Sequence, residues 1–127
     1  MITGQVTARR EAVIRLPLTT APGATTDVGM VMDTGFTEYL TLPPALIASL
    51  ALPVLNATAM TLADGSVIAV DVYVDVYEAT VMWDGVARTV KVHGADGDPL
   101  LGMAMLYGCR IIIDAVDGGQ VTIEAGA

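Results

Sequence analysis

The sequence predicts an all-β fold, a small closed barrel or curled sandwich carrying one helix and one short helical turn near its C-terminal end. Three observations predict it. Sixteen Val, eight Ile and fourteen Thr make about three residues in ten β-branched, and such side chains pack well on a pleated surface but crowd a helix. Apolar residues fall in short runs at period two. Turn signals rich in Gly, Pro and Asp separate these runs, with no solenoid repeat and no low-complexity tract.

Residues 2–7 read as the first strand. Over residues 11–18, Ala12, Ile14, Leu16 and Leu18 share one face, and the breaker cluster Thr20-Ala21-Pro22-Gly23 follows. Residues 25–32 alternate again, with Val28, Met30 and Met32 on one side. The helix starts at Pro43-Pro44, where a missing N–H costs nothing because first-turn donors have no partner in the helix. Leu46, Ile47 and Leu50 form its apolar stripe, and Pro53 is read as its end. Strands resume over residues 57–92. Ala63-Asp64-Gly65-Ser66 is a tight turn between the run ending at Leu62 and the run 67–77, and Asp84-Gly85 joins 80–83 to 86–92. Pro99-Leu100-Leu101-Gly102 opens a short buried turn or helix through Leu106. Residues 110–114 and 121–124, joined through Asp117-Gly118-Gly119, make a last hairpin.

A chain of 127 residues has the size of one domain, so residues 1–127 are expected to form one. Its net charge of −8 and pI near 4.2 argue against nucleic acid and against anionic membranes, both of which would repel it. Apolar residues at 54% against 16% charged exclude a disordered chain. The lone Cys109 excludes an intrachain disulfide or a cysteine-based zinc cluster, and it fits a reducing compartment. Residues 1–4 show no signal-peptide pattern. The most apolar stretch, 42–55, is broken by Pro43, Pro44 and Pro53 and falls short of the ~20 residues that span a bilayer. The expectation is a soluble cytoplasmic protein whose high mean hydropathy, +0.62, points to a second subunit covering part of it.

Chemistry concentrates at Asp33-Thr34-Gly35, directly after the apolar run 28–32. A strand fixes the position of an acid at its end. Gly35 lets backbone N–H groups approach the carboxylate, and Thr34 can spend its hydroxyl on a structural hydrogen bond without blocking the acid. By itself the triplet is equally compatible with an Asx-type turn. Other constellations carry less. Asp71 and Asp75 alternate with valines on one strand but lack the oxygen count of a cation site; Asp96-Gly97-Asp98 is only a fragment of a calcium loop. The single histidine, His93, has no serine or cysteine beside it in sequence, and Ser66 lacks the surround of a nucleophile elbow. Trp83, Cys109 and the methionines read as core or interface residues. Neither a metal nor a cofactor is expected.

The sequence resembles the retropepsin-like aspartic peptidases, specifically the short bacterial members that work as single-domain homodimers. The resemblance runs from about Val6 to Glu124 and rests on three features in order: the apolar strand into Asp33-Thr34-Gly35, the hairpin Met60-Thr61-Leu62-Ala63-Asp64-Gly65-Ser66-Val67, and Pro99-Leu100-Leu101-Gly102-Met103-Ala104-Met105-Leu106. It implies a retropepsin-like closed β barrel with one helix after the catalytic loop and a short C-terminal helical turn. It implies that Asp33 is the catalytic aspartate, that the Thr34 hydroxyl bonds across a dimer axis, and that the Gly35 backbone braces the carboxylate. Ala63, Asp64, Gly65 and Ser66 would form the tip of a flap, shorter and less glycine-rich than viral flaps. Leu100, Leu101 and Gly102 would cross behind the catalytic loop, and Ala104 stands where relatives often carry a polar or acidic residue.

Hydrolysis by this route needs two carboxyls, one to take a proton from water and one, protonated, to polarise the scissile carbonyl. Only one Asp-Thr-Gly occurs in the chain and there is no Asp-Ser-Gly, so the second carboxyl must be Asp33 of another copy across a two-fold axis. The expected partners are therefore a second copy and an extended polypeptide substrate, with faster turnover in acid. Two alternatives stay open: a non-catalytic dimeric β domain that binds extended peptide, and a barrel for a small ligand or protein partner in which Asp33 is structural.

Overall fold

The computed structural model describes residues 1–19, 24–59 and 73–126. Ten strands and two short helices occupy them: β1 Ile2–Val6, β2 Ala12–Thr19, β3 Thr25–Asp33, β4 Leu40–Leu42, α1 Pro44–Leu50, β5 Val54–Ala59, β6 Tyr73–Trp83, β7 Val86–Gly94, β8 Leu100–Gly102, α2 Met103–Leu106, β9 Arg110–Ile113 and β10 Gln120–Glu124.

β2 explains how the sheet closes. One of its edges pairs with β3 from Val13 to Thr19. The other is shared: residues 12–14 pair with β1, and Leu18 and Thr19 pair with Val81 and Thr80 of β6. That last contact completes a ring of six strands, β2-β3-β8-β4-β7-β6, while β1, β10 and β9 extend outward from β2 and β5 from β6. Period-two alternation sends Ile14, Leu16 and Leu18 of β2 and Val28 and Met30 of β3 into the core, where they meet Leu40, Val81, Val92, Leu101, Met105 and Leu106.

The architecture matches the expected all-β barrel with two helical pieces, and several local readings change. Leu100–Gly102 is a strand, not a turn or helix; it lies parallel to β3 and antiparallel to β4. Over the described residues, runs 67–77 and 80–83 are not separate: β6 continues unbroken from Tyr73 to Trp83, and its residues from Val76 to Trp83 pair with β7. β4 and the first residues of β5 were not anticipated. Pro53 does not end α1; the chain turns at Ala51, which adopts φ 51° and donates its N–H to the Ala48 carbonyl. Asp84-Gly85 is the expected two-residue hairpin turn, with both φ values positive at 50° and 80°. The Thr20–Gly23 breaker and the Ala63–Ser66 turn lie outside the described residues. No described helix is long and apolar enough to cross a membrane.

Candidate active site

Asp33 ends β3, and β8 holds that end in place. Val31, Met32 and Asp33 lie in parallel register with Leu100, Leu101 and Gly102, and Val31 N–H donates to the Pro99 carbonyl at 2.8 Å. Leu101 is fully buried behind the strand and Leu100 half-buried. The chain then turns sharply. Phe36 N–H donates to the Asp33 carbonyl at 3.2 Å, and Gly35 N–H donates to Asp33 Oδ1 at 2.9 Å. This second bond fixes the carboxylate in one orientation. A Cβ at residue 35 would sit 3.3 Å from the same oxygen. Asp33 is half-buried, whereas Thr34 and Gly35 are exposed, so the acid stands at a surface on a rigid support.

The loop is also tied from below. Residues 36–39 turn their carbonyls onto the start of α2: Met103 N–H donates to Phe36 at 2.7 Å, Ala104 N–H to Glu38 at 3.2 Å and Gly102 N–H to Tyr39 at 2.8 Å. First-turn donors of a helix have no partner within it, and here the loop after Asp33 supplies their acceptors. Gly102 makes this approach possible, since a Cβ there would lie 2.0 Å from the Glu38 carbonyl oxygen. Met105 and Leu106 of α2 are fully buried and anchor the assembly in the core.

Sequence reasoning missed Thr41. This buried residue of β4 accepts a hydrogen bond on Oγ1 from Leu100 N–H at 3.1 Å, linking β4 to the strand behind Asp33. Its signal was a lone hydroxyl between Leu40 and Leu42 just before the helix prolines. His93 lies opposite Thr41 in the β4–β7 register and meets the Phe36 ring edge-on, with centroids 6.3 Å apart. Among the described residues no hydrogen bond or ion pair joins it to Asp33. Also unforeseen was a cavity of about 690 Å³ between the β1–β2 turn, the end of β3 and the residues after β9. Met32 and Thr34 line it with Arg10, Ile113 and Val116. Thr7 Oγ1 is buried in its wall with no hydrogen-bond partner among the described residues.

The flap residues Ala63, Asp64, Gly65 and Ser66 are outside the described residues. β5 and β6, which flank them, pair antiparallel up to Ala59 opposite Tyr73. Cys109 is a half-buried free thiol packed against the core, and Trp83 is a core residue, 4% exposed.

No family model matches the chain, and no curated protein matches it by sequence. Among solved structures it is similar to a retropepsin-like aspartic protease from Rickettsia conorii, with a TM-score of 0.59 and 16% identity over 99% of this chain and 92% of that one. At that identity the likeness is one of fold.

Proposed function

From a retropepsin-like fold with an acid braced at the end of β3, we propose that the chain is an aspartic endopeptidase whose dyad is Asp33 from two copies. The observation that carries this reading is the Asp33 turn itself. Its carboxylate is oriented by Gly35 N–H, its backbone is held by β8, and its loop is bonded to α2. A structural Asx turn needs the first of these contacts and neither of the others.

In the proposed reaction one Asp33 carboxylate accepts a proton from water as that water attacks the scissile carbonyl carbon. The other Asp33, protonated, gives its proton to the carbonyl oxygen; as the C–N bond of the resulting gem-diol breaks, the first Asp33 passes its proton to the leaving nitrogen and the second takes one back from the diol, restoring the shared proton. Two carboxyls ~3 Å apart cannot both ionise, so they share one proton. Raising the pH removes that proton and with it the acid partner. Thr34, exposed beside Asp33, would bond across the axis to hold the two loops together. An extended polypeptide would bind by adding main-chain hydrogen bonds to strand edges.

The test is digestion of an unstructured peptide library between pH 3 and 8 by the wild type and by Asp33→Asn, which preserves shape. The expected result is a loss of about 10²–10⁴ in rate with an unchanged circular dichroism spectrum. Undiminished cleavage by Asp33→Asn would refute the assignment, and no cleavage by either protein at any pH would favour the non-catalytic peptide-binding alternative.

A further inference from the structure

Arg10 stands in a backbone conformation that its side chain does not favour. Its φ is 65°, in the left-handed region that glycine enters freely and other residues rarely do. Its N–H closes the β1–β2 turn on the Thr7 carbonyl at 2.9 Å, so the hairpin fixes that conformation. Glycine would serve the turn better, and an outlier kept against preference points to a use for the side chain. Arg10 lines the cavity of about 690 Å³ beside the Asp33 loop, and so does a residue of opposite charge, Asp117, on the turn between β9 and β10. The two turns are stitched together, with Gly118 N–H on the Val6 carbonyl at 2.9 Å and Val6 N–H on the Gly119 carbonyl at 2.8 Å. Yet Arg10 and Asp117 form no ion pair with each other, and neither has one elsewhere among the described residues.

We infer that this cavity is a binding site for a short apolar peptide with both termini free, its carboxylate on Arg10 and its ammonium on Asp117. Charge complementarity chooses the occupant. A ligand carrying only a carboxylate would meet Asp117 as well as Arg10, and one carrying only an amine would meet Arg10 as well as Asp117. A zwitterion pairs with both. Apolar side chains suit the rest of the lining, which includes Val6, Met32, Ile113 and Val116, the last two 42% and 64% exposed. The volume falls within the ~300–1,000 Å³ of clefts that take small ligands, and a di- or tripeptide belongs to that class. Because the charges sit on turns already bonded to one another, binding does not have to order the site.

The use of such a site rests on the proposed function; the binding itself does not. Each peptide bond cut creates one new carboxylate and one new ammonium, which the interior of an uncut chain lacks. A site that reads both ends therefore recognises short products rather than substrate. Thr34 also lines the cavity, so a bound product lies beside the residue proposed to link the two Asp33 loops.

Isothermal titration calorimetry of the full chain with the tripeptide Leu-Ala-Leu tests the site. The free-ended peptide should bind with a Kd of about 1 mM or tighter. Acetylating its amine or amidating its carboxylate should each weaken binding about tenfold. Arg10→Gly suits the backbone, so it should hold its Tm while losing a similar factor in affinity. In that variant the amidated and free peptides should bind alike, because the group that told them apart is gone. In Asp117→Asn the acetylated and free peptides should match for the same reason. Arg9 has a side chain 79% exposed, lies 3.8 Å from Glu11 and does not line the cavity, so Arg9→Ala should keep the affinity within about twofold. No binding up to about 10 mM peptide, equal affinity for blocked and free peptides, or an amidation effect that survives Arg10→Gly overturns the site and leaves the peptidase standing. A chain that binds the tripeptide in this way but cleaves no substrate keeps the site and overturns the proposed function.

Discussion

Replacing Gly102 with alanine adds one methyl group at the tightest point beneath the Asp33 loop. That Cβ would lie 2.0 Å from the Glu38 carbonyl oxygen and 2.6 Å from Cδ2 of Phe36. The ring can turn away, but the carbonyl is backbone and moves only with the loop. Shifting residues 36–39 strains three bonds, to Gly102, Met103 and Ala104 N–H, each with a net worth of about 1 kcal/mol. Overpacking a filled site costs a further 1–3 kcal/mol or so. A total near 3 kcal/mol or more follows if only part of each contribution is felt. With an unfolding entropy of about 2.1 cal/mol/K per residue, that lowers the Tm of a 127-residue chain by roughly 10 °C or more. Scanning calorimetry at matched protein concentration measures it, with Gly29→Ala as the control. At that site on β3 the added Cβ meets only a flexible Arg15 nitrogen at 3.4 Å and a Val13 methyl at 3.7 Å. The control should hold its Tm or gain from the up to ~1 kcal/mol that glycine costs in a strand. A Gly102→Ala protein melting within about 2 °C of wild type, with cleavage intact, would refute the reasoning that ties α2 to the loop.

Other outcomes follow from the same contacts. Thr41→Val leaves Leu100 N–H without an acceptor in a largely buried site and should cost about 1–3 kcal/mol in chemical denaturation, while Thr41→Ser keeps the acceptor and should lose only about 1 kcal/mol for the missing methyl. Peptide turnover should be faster at pH 5 than at pH 8, because the proposed dyad needs its shared proton. The charge of −8 per chain, which opposes association at neutral pH, acts in the same direction. A stopped assay across that range checks it, and equal or faster turnover at pH 8 would count against a carboxyl dyad.

Much of this arrangement was legible in the residues because it is local. Alternation in β2 and β3, the Pro43-Pro44 helix start and the Asp84-Gly85 turn each depend on neighbours within a few positions. Asp33-Thr34-Gly35 stood out for the same reason, an acid at the end of an apolar run. What escaped was set by distant partners. Leu100–Gly102 has only three residues between a proline and a helix, and it becomes a strand because β3 and β4, about 60–70 residues earlier in the chain, supply its ladder on both sides. β4 is equally short, and Thr41 gains its role only once β8 lies beside it. The pairing of β9 with β10 likewise follows a register that a run of three isoleucines does not specify.

The central claim is that two copies of Asp33 form one catalytic unit, and subunit mixing tests it most directly. Wild type and Asp33→Asn are combined in equal amounts, exchanged through a dilute or mildly denatured state, and assayed at constant total chain. If both carboxyls of a dimer are required, random pairing leaves only the all-wild-type dimers active, and activity falls to about one quarter of the pure wild type. Activity at about one half would mean that each chain cleaves with its own site and would contradict the shared dyad.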